Sequence, residues 1–145
     1  KDSNVGVFGV LALTSSFLLR YALISKLDTD FAMLIGLLAS YALGRYSILI
    51  VFNQSEVSKQ SGLTKELRKL NLRTLILCGL FSIVWVIPAG VSATIMVVIL
   101  GLALVYFLTK VVVPHNKGIS GDLLGLSVQL FELLTLSIIC VAFSS

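Results

Sequence analysis

The sequence predicts an all-α, polytopic membrane protein, a helix bundle of about five transmembrane helices in a single membrane-embedded domain over residues 1–145. Two compositional facts and one pattern lead to this prediction. Hydrophobic residues make up 57% of the 145 residues and charged residues only 12%, and the mean hydropathy is +1.03. A water-soluble domain needs more polar surface than this. The pattern is a series of long apolar runs whose length suits a bilayer.

The five runs are the candidate spans. A spanning helix needs about 20 residues, because a rise of about 1.5 Å per residue must cross about 30 Å of hydrocarbon. The third run is short and leads into Pro88-Ala89-Gly90, a combination that predicts a tight reversal between two helices. The five predicted spans are Val5–Ile24, Phe31–Phe52, Thr74–Ile87, Ala89–Leu108 and Leu123–Phe143.

The basic residues predict which face of the membrane each loop occupies. With five spans, the N-terminal segment and the second and fourth loops lie on one face, which collects eight Lys and Arg residues, whereas the opposite face has only Lys26. Cytoplasmic loops are enriched in Lys and Arg, so the first face is predicted to be cytoplasmic. The eight residues are Lys1, Lys59, Lys65, Arg68, Lys69, Arg73, Lys110 and Lys117.

The composition also excludes several classes of function. The apolar excess excludes a disordered chain, and a net charge of +4 is too small for a nucleic-acid-binding domain of this size. Cys78 and Cys140 both lie inside apolar runs, so we interpret them as free, buried thiols rather than as a disulfide framework. The predicted partners are therefore the lipid bilayer and no nucleic acid, and a homo-oligomeric assembly is left open.

Two arginines lie inside predicted spans. Arg20 lies about one turn from the outer end of the first span, where its side chain is expected to extend to the lipid headgroups. Arg45 lies eight residues before Asn53, about 12 Å below the cytoplasmic end of the second span. A charge at that depth is costly and usually faces protein or water, which makes Arg45 a functional candidate. Extension of its long side chain to the cytoplasmic face is the alternative.

The last span carries a polar stripe. Pro114 is predicted to end the fourth helix, and Asp122 opens the fifth as an N-cap or first-turn residue. At about 100° per residue, Asp122, Gly125, Gln129 and Glu132 share one arc of about 80°. Glu132 lies about 15 Å deep, where an ionised carboxylate without partners is severely penalised. A structural alternative is that Asp122 only caps the helix and that Glu132 is protonated or paired with Arg45.

Three segments carry a resemblance to a known family. The sequences "KDSNVGVFGVLAL", "LGRYSILI" and "KGISGDLLGLSVQLFELL" together resemble the C-terminal part of the adenosylcobinamide-GDP ribazoletransferase, or cobalamin synthase, family. The resemblance implies an Mg²⁺-dependent membrane enzyme that transfers the adenosylcobinamide phosphate moiety from adenosylcobinamide-GDP to α-ribazole or its 5′-phosphate and releases GMP. The family's Asp-Gly-Leu-Ala-Asp motif is absent here, so we expect this chain to be part of a longer enzyme and not a complete catalyst alone.

The resemblance transfers the family's motifs onto particular residues. Its Arg/Lys-Asp-Ser element falls on residues 1–3, its Gly-Arg on Gly44 and Arg45, and its Gly-Gly-x-Thr-Gly-Asp element on residues 117–122. Gln129 replaces an expected glutamate, which puts metal ligation there in doubt. The implied catalytic residues are Asp2, Arg45 and Asp122, and the implied metal ligands are Asp2, Asp122 and Glu132. The implied substrate-binding residues are Lys1, Ser3, Lys59, Lys117, Ser120 and Gln129.

The implied chemistry agrees with the predicted topology. Forming the new phosphodiester requires neutralisation of the substrate's pyrophosphate, which Mg²⁺ held by carboxylates and basic side chains on phosphate oxygens can supply. The enzyme is expected in the cell inner (plasma) membrane, with its active side cytoplasmic. The alternative is a non-enzymatic membrane transport or assembly subunit in which Arg45 and Glu132 form a structural or proton-linked pair.

Overall fold

The computed structural model describes residues 7–54, 70–115 and 121–144, and these residues form helices joined by short turns. No strand occurs in these three ranges. The prediction of an all-α membrane helix bundle is therefore confirmed. In chain order the elements are α1 (Val7–Ile24), α2 (Asp30–Gln54), α3 (Leu72–Val84), a 3₁₀ turn (Ile87–Ala89), α4 (Val91–Phe107), a π-helical segment (Leu108–Val112), α5 (Val113–His115) and α6 (Gly121–Ser144).

The five predicted spans correspond to five apolar helices, three of them long and two shorter. Three stretches are long and apolar enough to cross a membrane: Asp30–Gln54, Val91–Val112 and Gly121–Ser144. The other two apolar stretches, Val10–Ile24 and Leu72–Val84, are shorter. With 13 residues, α3 is only about 20 Å long, as the short third run predicted. That all five cross the bilayer remains a prediction.

The reversal predicted at Pro88 is present. Ile87–Ala89 forms a single 3₁₀ turn that contains the proline, and Gly90 follows with φ of 105°. This left-handed backbone conformation is strained for a residue that has a Cβ. Gly90 also stands at the N-cap of α4, so one glycine both completes the reversal and starts the next helix.

The fourth helix continues further than the sequence indicated. Helical backbone runs on from Leu108, the end of the predicted span, through the π-helical segment and the single turn of α5, which ends at His115, one residue after the proline that is predicted to end the helix. The N–H of Val113 bonds to the carbonyl of Leu108, five residues earlier. Because the helix widens there and a new turn begins at Val113, Pro114 occupies a first-turn position, where its missing N–H costs nothing.

The centre of the bundle is an antiparallel pair, α2 and α6. Near one end of the pair the rings of Phe31 and Phe143 meet edge to face with centroids 6.5 Å apart, and toward the other end the hydroxyls of Ser47 and Ser127 lie 3.2 Å apart. α1 and α4 pack on α6, and α3 packs on α2. Two apolar clusters lie along this pair, one around Ile139 and one around Phe131.

Small residues let the central helices approach each other. α2 has Gly36, Ser40 and Gly44 at intervals of four residues, and all three are buried. A Cβ at Gly36 would already be in contact with α6, 3.5 Å from Cδ2 of Leu136, and would press on Leu27, whose Cδ1 lies 3.1 Å away. Small residues at such spacing are the usual means by which membrane helices pack closely. The outward faces of the bundle carry exposed apolar side chains, including Phe17, Leu77, Phe81 and Leu102, as a lipid-facing surface requires.

Candidate functional site

A polar cluster joins α1 to α6 inside the apolar bundle. The guanidinium of Arg20 on α1 forms an ion pair with the carboxylate of Glu132 on α6. The same Nη2 atom donates a hydrogen bond of 2.5 Å to Oε1 of Gln129, and the hydroxyl of Ser16 donates one of 3.0 Å to the same oxygen. The side chain of Glu132 is 4% exposed and that of Arg20 is 17% exposed. We call these four residues the Arg20 cluster.

Within the Arg20 cluster, the ion pair with Arg20 stabilises the buried carboxylate of Glu132. A carboxylate in the hydrocarbon region is costly unless a cation or hydrogen-bond donors face it. Arg20 supplies both, because its guanidinium is always charged and presents several N–H donors. Its Nε is buried and finds no acceptor in residues 7–54, 70–115 and 121–144, so the pair is held by the Nη side of the guanidinium.

Gly44 provides the room for this carboxylate. A Cβ on Gly44 would lie 2.7 Å from Cγ and 3.0 Å from Oε1 of Glu132. No side chain fits at that separation unless Glu132 moves away from Arg20. The Gly-Arg element that the resemblance singled out thus contains a glycine that is required on packing grounds, because the side chain of Glu132 occupies the space that a Cβ would take.

A serine pair continues the polar contacts between α2 and α6 one turn nearer the start of α6. Ser47 donates to the carbonyl of Gly44 at 2.7 Å and Ser127 to that of Leu124 at 2.7 Å, and their hydroxyls share a further contact of 3.2 Å. Both residues are fully buried. The Arg20 cluster, Gly44 and this serine pair together place a set of polar contacts among the buried apolar residues of the bundle.

The predicted stripe on α6 divides into an exposed part and a buried part. Asp122 and Gly125 are exposed, Gln129 is half-buried and Glu132 is buried. Gln129 and Glu132 face α1, since both contact Arg20. The alternative in which Glu132 pairs with Arg45 is wrong, because the ionic partner of Glu132 is Arg20. The expectation that Arg20 extends to the headgroups is wrong for the same reason.

Arg45 lies on another side of the bundle from the Arg20 cluster. It is exposed and lines a groove between α2 and α3, together with Leu49, Leu77 and Phe81. Within the described ranges it forms no ion pair or hydrogen bond. Arg45 and Asp122 are therefore not brought together by the helices that carry them, and contact of Arg45 with a substrate phosphate stays a prediction.

Several predicted site residues lie outside the described residues. They are Lys1, Asp2, Ser3, Lys59, Lys117 and Ser120. The described ranges contain no group of three His, Cys, Asp or Glu side chains that could hold a metal ion. Of the predicted ligands that are described, Glu132 already faces a cation, whereas Asp122 is exposed in the first turn of α6.

Sequence reasoning missed Arg20 and Ser16 as members of a site. The signal was present, because Ser16 and Arg20 are four residues apart and share a face of α1, as i and i+4 do in any helix. They are also half-buried among mostly exposed neighbours. An arginine in a span is a candidate for pairing by default, and Glu132 was a carboxylate in need of a partner.

These features define the class of protein: a helical membrane bundle that buries an ion pair between two of its helices and exposes an acidic residue at the start of α6. The chain belongs to the cobalamin-5-phosphate synthase family, whose sequence model matches residues 1–140. The family resemblance found in the sequence is therefore confirmed.

Relatives with an assigned activity agree with this family. Proteins named adenosylcobinamide-GDP ribazoletransferase from Pseudoalteromonas atlantica and Ralstonia pickettii are each 28% identical to the chain, over 92% and 93% of its length. One of the same name from Clostridium botulinum is 30% identical over 96% of the chain. The chain spans about half the length of these curated relatives, 51%, 54% and 56%. No solved structure matches it.

Proposed function

We propose that this chain carries part of the active site of an adenosylcobinamide-GDP ribazoletransferase. The reaction joins the adenosylcobinamide phosphate moiety of adenosylcobinamide-GDP to α-ribazole or its 5′-phosphate and releases GMP. The observation that carries the proposal is the family match over residues 1–140, together with relatives of that name that align with more than nine-tenths of the chain.

Asp122 is the described residue best placed to take part. It is the acidic residue in the first turn of α6 and is exposed, so a substrate at the membrane surface can reach it. Mg²⁺ in proteins is often held by one or two carboxylates together with substrate phosphates. A single exposed carboxylate fits that pattern, and Mg²⁺ bound there would supply neutralisation of pyrophosphate charge.

Glu132 is a poor second ligand for the same ion. Ten residues of helix separate it from Asp122, which is about 15 Å along the axis of α6. Its carboxylate also faces the guanidinium of Arg20. We therefore propose Asp122 as a metal ligand and assign Glu132 to helix packing, while Asp2 and the basic substrate-binding residues keep the roles that the resemblance implies.

We further propose that the chain lies in the plasma membrane with Asp122 on the cytoplasmic side. The distribution of eight basic residues against one supports this orientation. α1 and α6 run parallel, since Ser16 contacts Gln129 and Arg20 reaches on to Glu132. The beginnings of α1 and α6 therefore belong to one face of the bundle, the face to which the charge distribution assigns the cytoplasm.

The test is a two-substrate assay in membranes. The chain is expressed from its complete reading frame in a host that lacks its own ribazoletransferase, and the membranes receive adenosylcobinamide-GDP, α-ribazole and Mg²⁺. We expect cobamide and GMP to form in equal amounts, with GMP release dependent on α-ribazole. GMP release without α-ribazole would indicate a hydrolase, and absence of both products would contradict the proposal.

A further inference from the structure

The Arg20 cluster has a geometry that suits alignment of two helices. Arg20 contacts two residues of α6, Gln129 and Glu132, which lie three positions apart on one face. Ser16, four residues before Arg20, contacts Gln129 as well. Three polar contacts at two levels oppose both sliding and rotation of α1 against α6, which a single contact or an apolar surface does not.

Because the surroundings are apolar, these polar contacts favour one register of α1 against α6 over the others. Among residues 10 to 22 of α1, all except Ser16 and Arg20 are exposed, so few apolar contacts define the register of α1 in that stretch. Between membrane helices there is little hydrophobic driving force, and packing and polar contacts determine how they associate. Sliding α1 by one helical turn, about 5.4 Å, would leave the carboxylate of Glu132 buried without its cation, which the hydrocarbon region penalises strongly.

The register fixed by the cluster determines what lies at the ends of the two helices. Val7 of α1 is 13 residues before Arg20, and Gly121, where α6 begins, is 11 residues before Glu132. These stretches are about 20 Å and about 17 Å long. Because α1 and α6 run in the same direction, both reach the same level, at which Asp122 is exposed.

We infer that Arg20 is a positioning residue whose contacts with Gln129 and Glu132 hold α1 and α6 in register, so that Asp122 stands at about the level of residues 7–10 of α1. The register itself is independent of the reaction, whereas its value to catalysis rests on the proposed function of Asp122. Gly44 belongs to this arrangement, since it makes the room that the carboxylate of Glu132 occupies.

Cross-linking measures the register without reference to activity. Ala12 and Gly125 lie four residues before Ser16 and Gln129, on the same helix faces, and both are exposed. Gly125 has open space where a side chain would stand. The reporter is the full chain with Ala12→Cys and Gly125→Cys and without Cys78 and Cys140, treated in lipid vesicles with a short bismaleimide. A second reporter, Phe31→Cys with Phe143→Cys, monitors the α2–α6 pair, where the two rings meet.

We expect Arg20→Met to slow cross-linking of the first reporter about tenfold and to leave the second unchanged. Arg20→Lys, which keeps a cation within reach of Glu132, should restore the rate to within about threefold. Glu132→Gln keeps an acceptor for Arg20 and should give an intermediate rate, which also provides a reading if Arg20→Met fails to insert. An unchanged rate for the first reporter in both Arg20→Met and Glu132→Gln would overturn the inference.

Turnover then tests the consequence for Asp122. In the two-substrate assay, Arg20→Met should lower kcat about tenfold with little change in KM for α-ribazole, and Arg20→Lys should restore kcat. If Arg20→Met changes cross-linking but leaves kcat unchanged, Arg20 does hold the register of α1 and α6, and the proposed importance of that register for catalysis is refuted. Absence of ribazole transfer by the unmodified chain would refute the proposed function alone, because the cross-linking result stands without it.

Discussion

At the scale of single residues, the protein places two carboxylates of one helix in opposite environments. Asp122 is exposed at the first turn of α6, and Glu132 is buried beside Arg20. A solvated carboxylate can accept a metal ion or a hydrogen bond from any approaching group, whereas a buried one needs a permanent partner. The position of each carboxylate along α6 therefore indicates its role.

Asp122→Asn separates a catalytic carboxylate from a capping one. Asparagine in the first turn of α6 loses only the interaction of the charge with the helix dipole, about 0.3–1 kcal/mol, but it lacks the charge that Mg²⁺ requires. We expect nearly unchanged thermal stability and a loss of cobamide formation of about a hundredfold or more, measured in the two-substrate assay with raised Mg²⁺ as a partial rescue.

Asp30→Asn is the matched control for this prediction. Asp30 is likewise exposed in the first turn of a long helix, α2, but at the opposite face of the bundle. The Asp30→Asn variant should therefore leave turnover unchanged. Near-normal turnover in Asp122→Asn would mean that Asp122 is only a cap.

Gly44→Ala tests the space beside the carboxylate of Glu132. The added methyl would stand 2.7 Å from Cγ of Glu132, so either the ion pair or the α2–α6 contact must shift. Overpacking of this kind costs about 1–3 kcal/mol. We expect a lower midpoint in thermal unfolding of the protein in lipid or detergent.

Gly125→Ala is the control, because no atom lies within 4 Å of the position of its Cβ. Alanine is a better helix former than glycine, so this variant should be neutral or slightly stabilised. Equal midpoints for Gly44→Ala and Gly125→Ala would show that Glu132 moves aside at no cost.

At the scale of elements, the connection between α3 and α4 depends on one backbone conformation. The 3₁₀ turn contains Pro88, and Gly90 at φ of 105° redirects the chain into α4. A left-handed φ disfavours every residue that has a Cβ, even where space is available.

Gly90→Ala should therefore destabilise the protein although nothing crowds the site. No atom lies within 4 Å of a Cβ at Gly90, so the expected loss of about 1–2 kcal/mol is purely conformational. Thermal unfolding measures it, with Gly121→Ala as a control at a glycine whose φ is not positive. If the two variants unfold alike, the turn adjusts to accept alanine.

At the scale of the whole molecule, the relative directions of the helices limit how many times the chain crosses the membrane between them. α1 and α6 are parallel to each other, and α2 is antiparallel to α6. An odd number of crossings between the starts of α1 and α2, and an even number between those of α1 and α6, satisfies both relations. The five-span prediction has this property.

Single-cysteine labelling tests the topology directly. In a background without Cys78 and Cys140, cysteines at Lys65 and Lys117 should react from the cytoplasm, and one at Asp28 from outside. Asp28 is preferred to its neighbour Thr29, because the Thr29 hydroxyl accepts a hydrogen bond from the N–H of Ala32 at the start of α2. Labelling of Lys65 and Lys117 from opposite sides would contradict five spans.

The sequence alone determined the features that depend on local chemistry. Span lengths follow from apolar runs matched to the thickness of the bilayer, and the reversal follows from Pro88 and Gly90, so helix positions were predicted to within a few residues. The shared face of Gln129 and Glu132 followed from helix periodicity. The family resemblance also came from residues that stand close together within each motif.

Only the tertiary structure determined which side chains meet. Arg20 and Gln129 are 109 residues apart in the chain, and helix periodicity does not determine which helix faces which. The sequence therefore offered Arg45 as the alternative partner of Glu132, whereas packing places Arg45 in a groove beside α3 and places Arg20 against Glu132. The physical reason is that small residues on α2 set its separation from α6, and Gly44 then leaves the carboxylate of Glu132 room to meet Arg20 of α1.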